Sequence, residues 1–474
     1  MTSAATSTSS TASVLPHLPA EAMLQGPPSK RQRLDSHSDS TQILKPASKE
    51  NVTADHLTGT TEPKKKKERV MNSFRSQEYE DAIQRPFPVC TNPPDYRHGL
   101  FLAPMVRIGT LPNRLLSLQY GANLVWGPEI VDRAIMACER TVDPKTGLVD
   151  FRKDGKSIFT THPVEKSRLI FQLGSANPAQ AYEAIKVISG DVAGVDLNCG
   201  CPKPFSTSGG MGANLLTTPD LLCDILRAMR HAAPAHVAVT CKIRMLPTQE
   251  ATIALVRQIV RTGVINAITI HCRTKEMRPR EPALLHRFRE VADAIKEESE
   301  GKIPVCVNGD CWSAEDEARF LELTGATSIM IARGAELNPS VFRREGKLSV
   351  PDIVAPQFAK YAMYFDNVWG NTKYCLGQLN FKDRANYEKE HDEHDDGGAV
   401  RMTKADRQAL RDRAMSAQDY AGIAHAFALD HGKECARSQE DMLAEVRAAV
   451  DKLDRGHAST STVIAHTVDT AATT

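Results

Sequence analysis

The sequence predicts an α/β protein: a (β/α)8 TIM barrel followed by a small C-terminal α-helical domain, with disordered extensions at both ends. Three observations lead to this prediction. Short apolar runs rich in β-branched residues begin near residue 98, helix-length amphipathic segments separate them, and the alternation stops after Pro351. Continuous apolar strands that alternate with helices indicate a parallel sheet covered on both faces.

Eight runs are predicted to form strands. They are Gly99–Ala103, Asn123–Trp126, Arg168–Leu173, Ala193–Asn198, Val237–Ile243, Ala267–His271, Ile303–Asn308 and Ser328–Ala332. The helical segments between them include Pro178–Ile188, Pro219–Ala232, Glu250–Arg261, Leu284–Ile295 and Ala314–Leu323. Eight such units match a closed barrel better than an open doubly wound sheet, which is the alternative because periodicity does not reveal closure.

Changes of composition divide the chain into four segments. The predicted segments are a disordered basic extension (1–92), the barrel (93–348), a helical domain (349–455) and a disordered tail (456–474). The extension is rich in Ser, Thr, Pro and Lys, and it has too little apolar periodicity to offset the entropy of ordering. Within the helical domain, we expect helices over Gln357–Phe381, Ala417–Leu429 and Glu440–Leu453, and a charged insertion at about 382–414.

Composition excludes several classes of protein. The 474 residues carry 59 Lys+Arg and 58 Asp+Glu, a formal net charge of +1, so the whole surface is not a polycation. Such a sum does not exclude a local basic groove. No stretch approaches the ~18 uninterrupted apolar residues of a membrane span. The 11 cysteines show no repeated CxxC spacing, and we expect reduced thiols, no metal and a monomer.

Charged clusters lie outside the predicted barrel. Lys30–Arg33 and Lys64–Arg69 are typical of a nuclear signal or of an arm that binds nucleic acid, and a solvated charge run explains them equally well. The expected location is the cytoplasm, with the nucleus as a second location if these clusters act as signals. The acidic run Glu388–Asp396 is predicted to be a solvated loop rather than a metal site.

Polar or reactive side chains follow most of the predicted strands. They include Gln172, Asn198, Cys201, Lys242, Arg244, His271, Arg273, Asn308, Asp310 and Arg333. Because the carboxyl ends of barrel strands meet at one rim, where active sites of such barrels lie, these residues predict a site there.

The last two strand ends predict a phosphate site. Gly309 and Gly334 would let the backbone approach a ligand, and amides at the next helix starts bind phosphate. Ordinary turn glycines are the alternative interpretation. A phosphate together with Gln172, Lys242 and His271 suits flavin mononucleotide (FMN), whose pyrimidine edge needs amide and cationic partners. Lys242 could instead form a Schiff base, and the residues alone do not separate the two.

Cys201 is a candidate proton donor. It lies between Gly200 and Pro202, just past the fourth strand. A free thiol has a pKa near ~8.5, so it is largely protonated at neutral pH and can give a proton to a substrate carbon. Cys199 is two residues away on the opposite face of the strand, and we expect it to pack inside the protein.

Cations surround the predicted mouth of the barrel. They include Arg244, Arg273, Lys275, Arg278, Arg280 and Lys373. With the aromatic residues of the segment Tyr361–Tyr374, they suit a folded RNA that presents one unstacked base. Solvated loops and a packed aromatic helix are the alternative.

Several motifs, in this order, resemble the tRNA-dihydrouridine synthases, FMN enzymes that reduce a uridine of tRNA. They are Leu102–Met105 with Thr110 and Arg114, Val195–Pro202, Gly212–Leu216, Cys241–Arg244, Ile270–Arg273, Asn308–Asp310 and Gly325–Pro339. The strings Val106–Pro112 and Gly370–Tyr374 are most similar to the eukaryotic synthase-2 branch.

The resemblance implies reduction of the C5–C6 bond of uridine 20 in the D-loop of cytoplasmic tRNA, with NADPH or NADH as reductant. It implies that Cys201 protonates C5, that Asn198 holds the uracil, and that the helical domain helps to bind tRNA. The implied FMN-binding residues are Pro104, Met105, Gln172, Lys242, His271, Asn308, Gly309, Asp310, Ala332, Arg333 and Gly334. Two alternatives are an FMN barrel oxidoreductase acting on a free pyrimidine and a non-catalytic tRNA-binding protein.

Overall fold

A computed structural model describes residues 76–382 and 402–429, together with residues 444, 447, 448 and 451. The strands in this part of the chain are β1 (Leu100–Leu102), β2 (Leu124–Val131), β3 (Glu139–Val142), β4 (Val149–Lys153), β5 (Lys156–Thr161), β6 (Leu169–Gly174), β7 (Gly194–Cys199), β8 (Ala238–Arg244), β9 (Ala267–His271), β10 (Val305–Asn308) and β11 (Ser328–Ile331).

Eight of these strands form a closed parallel barrel in the order β1-β11-β10-β9-β8-β7-β6-β2. Closure is visible at Phe101, which lies opposite Leu124 of β2 on one side and Met330 of β11 on the other. All eight predicted strands are therefore confirmed, and the open doubly wound sheet is excluded. The barrel strands are almost wholly buried, in agreement with their continuous apolar runs.

Helices surround the barrel and continue after it. They are α1 (Gln77–Ala82), α2 (Leu111–Gln119), α3 (Asp132–Ile135), α4 (Pro178–Ile188), α5 (Pro204–Thr207), α6 (Pro219–Ala232), α7 (Gln249–Arg261), α8 (Phe288–Glu298), α9 (Glu317–Thr324), α10 (Arg333–Leu337), α11 (Ala355–Tyr364), α12 (Trp369–Gln378), α13 (Lys404–Ser416) and α14 (Tyr420–Ala426). Short 3-10 turns, Leu285–Arg287 and Ala314–Asp316, begin two of the segments predicted as single helices. No helix among the described residues is long and apolar enough to cross a membrane.

Residues 76–92 correct the prediction of a disordered extension that reaches residue 92. Ser76 caps α1 by accepting a hydrogen bond from the Tyr79 backbone N–H. The Tyr79 ring packs on Tyr182 of α4 with ring centroids 5.4 Å apart, and Tyr79 is buried. A helix of six residues is too short for its periodicity to be recognised in the sequence. The basic clusters at 30–33 and 64–69 lie outside the described residues.

A second sheet, not predicted from the sequence, lies between β2 and β6 along the chain. It contains β3, β4 and β5 in antiparallel order. Phe151 and Phe159 anchor this sheet because both are buried. The ring of Phe159 packs against that of Phe171, a barrel residue, in an edge-to-face arrangement with ring centroids 5.1 Å apart. Its outer strand β3 is mostly exposed and polar, so it lacks the apolar run that marked the barrel strands.

The helical domain differs from the prediction in two places. The single helix expected over Gln357–Phe381 is two helices, α11 and α12, because the chain turns at Asp366, whose φ is 45°. Helix α13 lies largely within the range predicted as a charged insertion, and its Leu410 and Ala414 are buried, so the predicted insertion was too long. Residues 383–401, which hold the acidic run, lie outside the described residues, as does most of the segment 440–453.

Lys373 was predicted to contact RNA, and the structure gives it another role. Its Nζ donates to the carbonyls of Ala414, Met415 and Ala417 at the end of α13, with distances of 3.3 Å to Ala414 and 2.8 Å to Ala417. A cation at the C-terminus of a helix satisfies unpaired carbonyls and opposes the negative end of the helix dipole. Lys373 therefore joins α12 to α13.

A buried ion pair joins helix α2 to the 3-10 turn Pro163–Arg168 that follows β5, and its loss is expected to destabilise the protein. The guanidinium of Arg114 donates to Glu165 through Nε at 2.9 Å and Nη2 at 2.6 Å, and both side chains are at most 1% exposed. Glu165→Ala should lower the free energy of unfolding by about 3–5 kcal/mol, because it leaves a buried unpaired charge.

The matched control is Asp224→Ala, which breaks an ion pair with Arg227 in which the side chains are 44% (Arg227) and 58% (Asp224) exposed. Its effect should stay below about 1 kcal/mol. Thermal and urea unfolding of the two variants measure the difference. Equal losses of stability would show that the Arg114–Glu165 pair has no special role.

Candidate active site at the barrel rim

The strands bring the predicted rim residues together at their carboxyl ends. Lys242 lies opposite Asn198 across β8 and β7, and Asn308 lies opposite His271 across β10 and β9. Beside them opens a cavity of about 150 Å³. It is lined by Arg244, His271, Arg273, Met277, Pro279, Asn308, Gly309, Asp310, Cys311, Ala332 and Arg333.

Asp310 organises the cationic wall of this cavity. Its Oδ1 accepts hydrogen bonds from the guanidinium groups of Arg273, at 2.5 Å, and Arg333. Its Oδ2 accepts from the backbone N–H of Ala283 at 2.7 Å. One carboxylate thus holds two guanidinium groups, and the wall keeps an excess of positive charge that suits an anion such as phosphate. Arg333 also lies 4.6 Å over the ring of Trp312.

Different constraints require glycine at the two rim positions 309 and 334. Gly309 has φ +129°, and a Cβ there would lie 3.1 Å from the Cβ of Ala283, beside the cavity that Gly309 lines. A Cβ on Gly334 would lie 2.0 Å from the backbone oxygen of Trp312. Packing against Trp312 therefore requires a glycine at position 334, and its place in the phosphate site stays a prediction.

A buried polar network lies beneath the centre of the rim. Gln172 donates through Nε2 to Oδ2 of Asp196 at 2.8 Å, and Thr240 donates to Oδ1 at 2.7 Å. Burial raises the pKa of Asp196 to about 6. The bond to Asp196 fixes the orientation of the Gln172 amide, so its Oε1 points to Asn198, whose Nδ2 lies 3.3 Å away.

Lys242 and His271 occupy the middle of the rim. Lys242 donates through Nζ to Oδ1 of Asn308 at 2.9 Å, and burial together with neighbouring Arg244 lowers its pKa to about 8. Burial and the cations around His271 hold its pKa well below the usual value, so the imidazole is neutral. Because Arg273 can only donate, Nε2 of His271, 3.4 Å from its Nη1, is the acceptor.

Cys201 stands at the edge of this network as a protonated thiol. Burial, and next the negative charge of Glu129, raise its pKa to about 11. The side-chain oxygen of Asn198 accepts from the backbone N–H groups of Gly200, at 2.9 Å, and Cys201, at 3.0 Å, and so fixes the loop that carries the thiol. Cys199 is fully buried, which confirms that it packs inside the protein.

The predicted basic rim divides into two groups. Arg244 donates to the carbonyls of Gly200, at 2.6 Å, and Thr274, at 3.0 Å, and Arg273 is only 3% exposed. These two arginines hold loops in place, and their assignment to the RNA-binding surface stays a prediction. Lys275, Arg278 and Arg280 are exposed on the loop after β9, whose Met277 and Pro279 line the cavity.

Glu129 is a site residue that the sequence reasoning missed. The second strand was predicted to end at Trp126. Instead β2 continues to Val131 through a shift of register between Trp126 and Glu129. Glu129 thereby lies opposite Gln172 and beside Cys201. The sequence did hold one sign that the strand continues, namely the apolar Ile130–Val131 directly after this acidic residue.

The residues present fit a flavin that carries one phosphate. Gln172 on β6, Lys242 on β8 and His271 on β9 offer an amide, a cation and a neutral imidazole at one rim, and the cationic wall with Gly309 offers room and charge for the phosphate. Pro104 and Met105 follow β1 and are half-buried at the same rim. Ala332 lines the cavity next to Arg333.

Comparison with known proteins identifies the family. Residues 101–387 match the family described as dihydrouridine synthase (Dus). The chain belongs to the dihydrouridine synthase family. It is 44% identical over 344 residues to the tRNA-dihydrouridine(20) synthase [NAD(P)+] of Schizosaccharomyces pombe, covering 71% of this chain and 66% of that protein.

Further dihydrouridine synthases match at lower identity. The tRNA-dihydrouridine(20) synthase [NAD(P)+] of Saccharomyces cerevisiae is 39% identical over 304 residues, which cover 60% of this chain and 77% of the yeast protein. The tRNA-dihydrouridine(20a/20b) synthase [NAD(P)+] of the same yeast is 30% identical over 264 residues, with 55% and 66% covered. Membership in the family confirms the resemblance that the rim motifs predicted. The chain spans about two thirds of the length of its S. pombe relative.

Proposed function

We propose that this dihydrouridine synthase reduces the C5–C6 double bond of uridine 20 in the D-loop of tRNA, with NADPH or NADH as reductant. The observation that carries the proposal is the place of Cys201 at the barrel rim, on a loop held by Asn198 and beside the buried pair Gln172–Asn198. Two relatives named tRNA-dihydrouridine(20) synthase [NAD(P)+], at 44% and 39% identity, support the position and the reductant.

FMN is the proposed cofactor, and when bound it supplies the hydride that reaches C6 of the uracil. Gln172, Lys242 and His271 would hold its pyrimidine edge. Asn308, Gly309, Ala332 and Arg333 would hold the phosphate end, with Pro104 and Met105 on the β1 side. Asp310 is already bonded to two arginines, so its contribution is to hold their guanidinium groups rather than to touch an anion.

Cys201 completes the reduction by giving its proton to C5. The hydride and this proton together add two electrons and two hydrogen nuclei across the double bond, and the thiolate left behind regains a proton from solvent. Asn198 fixes the backbone of the Cys201 loop, so the thiol stays at one place on the rim. A thiol with a pKa of about 11 is protonated throughout the neutral range and is ready to act as an acid.

The tRNA partner is proposed to contact the exposed loop after β9. Arg278→Ala combined with Arg280→Ala should weaken tRNA binding and reduce the slope of log affinity against log salt by roughly 0.9 for each phosphate that the loop no longer neutralises. Because the binding of cations to phosphates releases counterions, filter binding at several salt concentrations measures both effects.

The control combines Arg261→Ala with Lys302→Ala, two exposed cations on segments that precede barrel strands and therefore lie at the opposite end. It should leave both the affinity and the slope unchanged. An unaltered slope in the Arg278/Arg280 variant would exclude the β9 loop from the RNA-binding surface.

The reaction is tested with purified enzyme, NADPH and an unmodified tRNA transcript. Dihydrouridine at position 20, and none from free uridine or uracil, is the expected result. Reduction of the free pyrimidine instead would indicate a small-molecule oxidoreductase. A colourless protein that binds tRNA without reducing it would indicate a non-catalytic tRNA-binding protein.

The cytoplasm is the proposed location, with the nucleus as a second location, and the basic clusters Lys30–Arg33 and Lys64–Arg69 support the latter. Fluorescent fusions in which either cluster is neutralised test the nuclear location. We expect these fusions to lose the nuclear fluorescence. The monomeric state stays a prediction.

A further inference from the structure

Glu129 places a buried carboxyl group at the rim, close to the proposed proton donor. It is 7% exposed and lies opposite Gln172 where β2 pairs with β6. Its Oε1 accepts a hydrogen bond from Ser206 at 2.8 Å, while its Oε2 is buried and has no hydrogen-bond partner among the described residues. Burying a polar atom without a partner is costly, which indicates that this oxygen has a use.

The surroundings of Glu129 are shaped to fit it. A Cβ on Gly174 of β6 would lie 2.6 Å from Oε1 and 3.2 Å from Cγ of Glu129, so a larger residue there would displace the Glu129 side chain. The Cys201 loop closes over the carboxyl group from the other side. Gly212 has φ +61°, and a Cβ there would lie 2.4 Å from Oγ of Ser206 and 2.5 Å from the backbone oxygen of Cys201.

Three polar side chains therefore meet at one point: Glu129 from β2, Ser206 from α5 and Cys201 from the loop after β7. Asn198 also faces the carboxyl group. We propose that Glu129 is a positioning residue whose carboxylate holds Cys201 as a neutral thiol at the rim. This inference rests on the proposed function only in taking Cys201 as the acid.

The charges around Cys201 support this role. A carboxylate close to a thiol disfavours the thiolate, because two negative charges would adjoin. Glu129 is the largest charged influence on the pKa of Cys201 and raises it, while Ser206 and the backbone of Lys203 lower it by hydrogen bonding. The cation facing the thiol is Arg244, whose guanidinium is already bonded to the carbonyls of Gly200 and Thr274.

Alkylation of Cys201 by iodoacetamide, followed by mass spectrometry of the modified peptide across pH 7–11, tests the proposal on the flavin-loaded enzyme without tRNA. In Glu129→Gln the alkylation curve should move down by at least about one pH unit, which raises the thiolate fraction about tenfold at lower pH. The rate there should rise roughly threefold, since a less basic thiolate is a weaker nucleophile.

Ser206→Ala should move the curve the opposite way, because it removes a hydrogen bond that lowers the pKa of Cys201 and leaves Glu129 in place. If Glu129→Gln fails to fold, Glu129→Asp takes its place, because it withdraws the charge from the thiol by one methylene, and its curve should also move down. The matched control is Asp132→Asn, which neutralises another buried carboxylate, bonded to Ser175 and only 3% exposed. Its alkylation curve should coincide with that of the wild-type protein.

An unchanged alkylation curve in a folded Glu129→Gln, or in Glu129→Asp if the first variant does not fold, would overturn the proposal. An unchanged curve with a raised KM for tRNA would overturn it as well, since the carboxylate would then contact the substrate. A failure of the proposed function would be a separate result. In that case Cys201→Ala would keep the full rate of tRNA reduction, whatever the alkylation curves show.

Discussion

Cys201→Ala is expected to slow dihydrouridine formation by about 10²–10⁴-fold, the usual contribution of a positioned general acid. Hydride transfer to C6 needs a proton at C5, and the variant lacks the thiol that would supply it. Flavin content and the reduction of the flavin by NADPH should be unchanged, because the thiol is outside the cationic wall and the polar network that would hold the cofactor. Single-turnover oxidation of the reduced enzyme by tRNA measures the step directly.

Cys199→Ala is the matched control. This thiol is two residues away, fully buried and packed in the core between β7 and its neighbours. Its loss should cost some stability by leaving a small cavity, with little effect on the rate of tRNA reduction. The reverse result, a fast Cys201→Ala enzyme and a slow Cys199→Ala enzyme, would contradict the assignment of the acid.

Lys242→Met is expected to lose most of its flavin. The substitution keeps the length of the side chain and removes the ammonium group that donates to Asn308 at 2.9 Å in the centre of the rim. A charge-assisted hydrogen bond contributes about 1.5–3 kcal/mol, so the affinity for flavin should fall roughly 10- to 150-fold. Absorbance near the flavin maximum after dialysis, compared with protein content, measures the occupancy.

Lys302→Met provides the control, because Lys302 is 74% exposed and precedes β10 at the other end of the barrel. It should keep wild-type flavin content. If Lys242→Met also keeps it after exhaustive dialysis, the cofactor does not use this lysine, and the flavin site must be placed elsewhere.

Much of the fold could be predicted because barrel strands are buried on both faces. The runs around Phe101 and Ile268 are continuously apolar, and this pattern needs no knowledge of distant contacts. The inserted sheet around Phe151 could not be found in the same way, because its edge strand is polar and its burial depends on packing against Phe171. The break at Asp366, whose φ is 45°, has no Gly or Pro at that position to mark it in the sequence.

Site residues at the ends of strands could be predicted from the sequence. The role of a residue was harder to predict where it depends on a hydrogen-bond or ion-pair partner that is remote in the sequence. Lys242 and His271 lie where the strand pattern placed them. Arg273 and Lys373 have the charge expected of RNA-binding residues, yet a carboxylate and a helix terminus, both remote in sequence, hold their cationic groups. Glu129 was missed because a shift of register carries β2 through a Gly-Pro pair.

The central claim is that this chain makes dihydrouridine at position 20 of tRNA, with Cys201 as the acid. Mapping dihydrouridine at single-nucleotide resolution in tRNA from cells that lack the protein tests this most directly. We expect that position 20 is unmodified in those cells, that the wild-type protein restores dihydrouridine there, and that the Cys201→Ala protein at equal abundance does not. Dihydrouridine that persists at position 20 without the protein, or that Cys201→Ala restores fully, would contradict this claim.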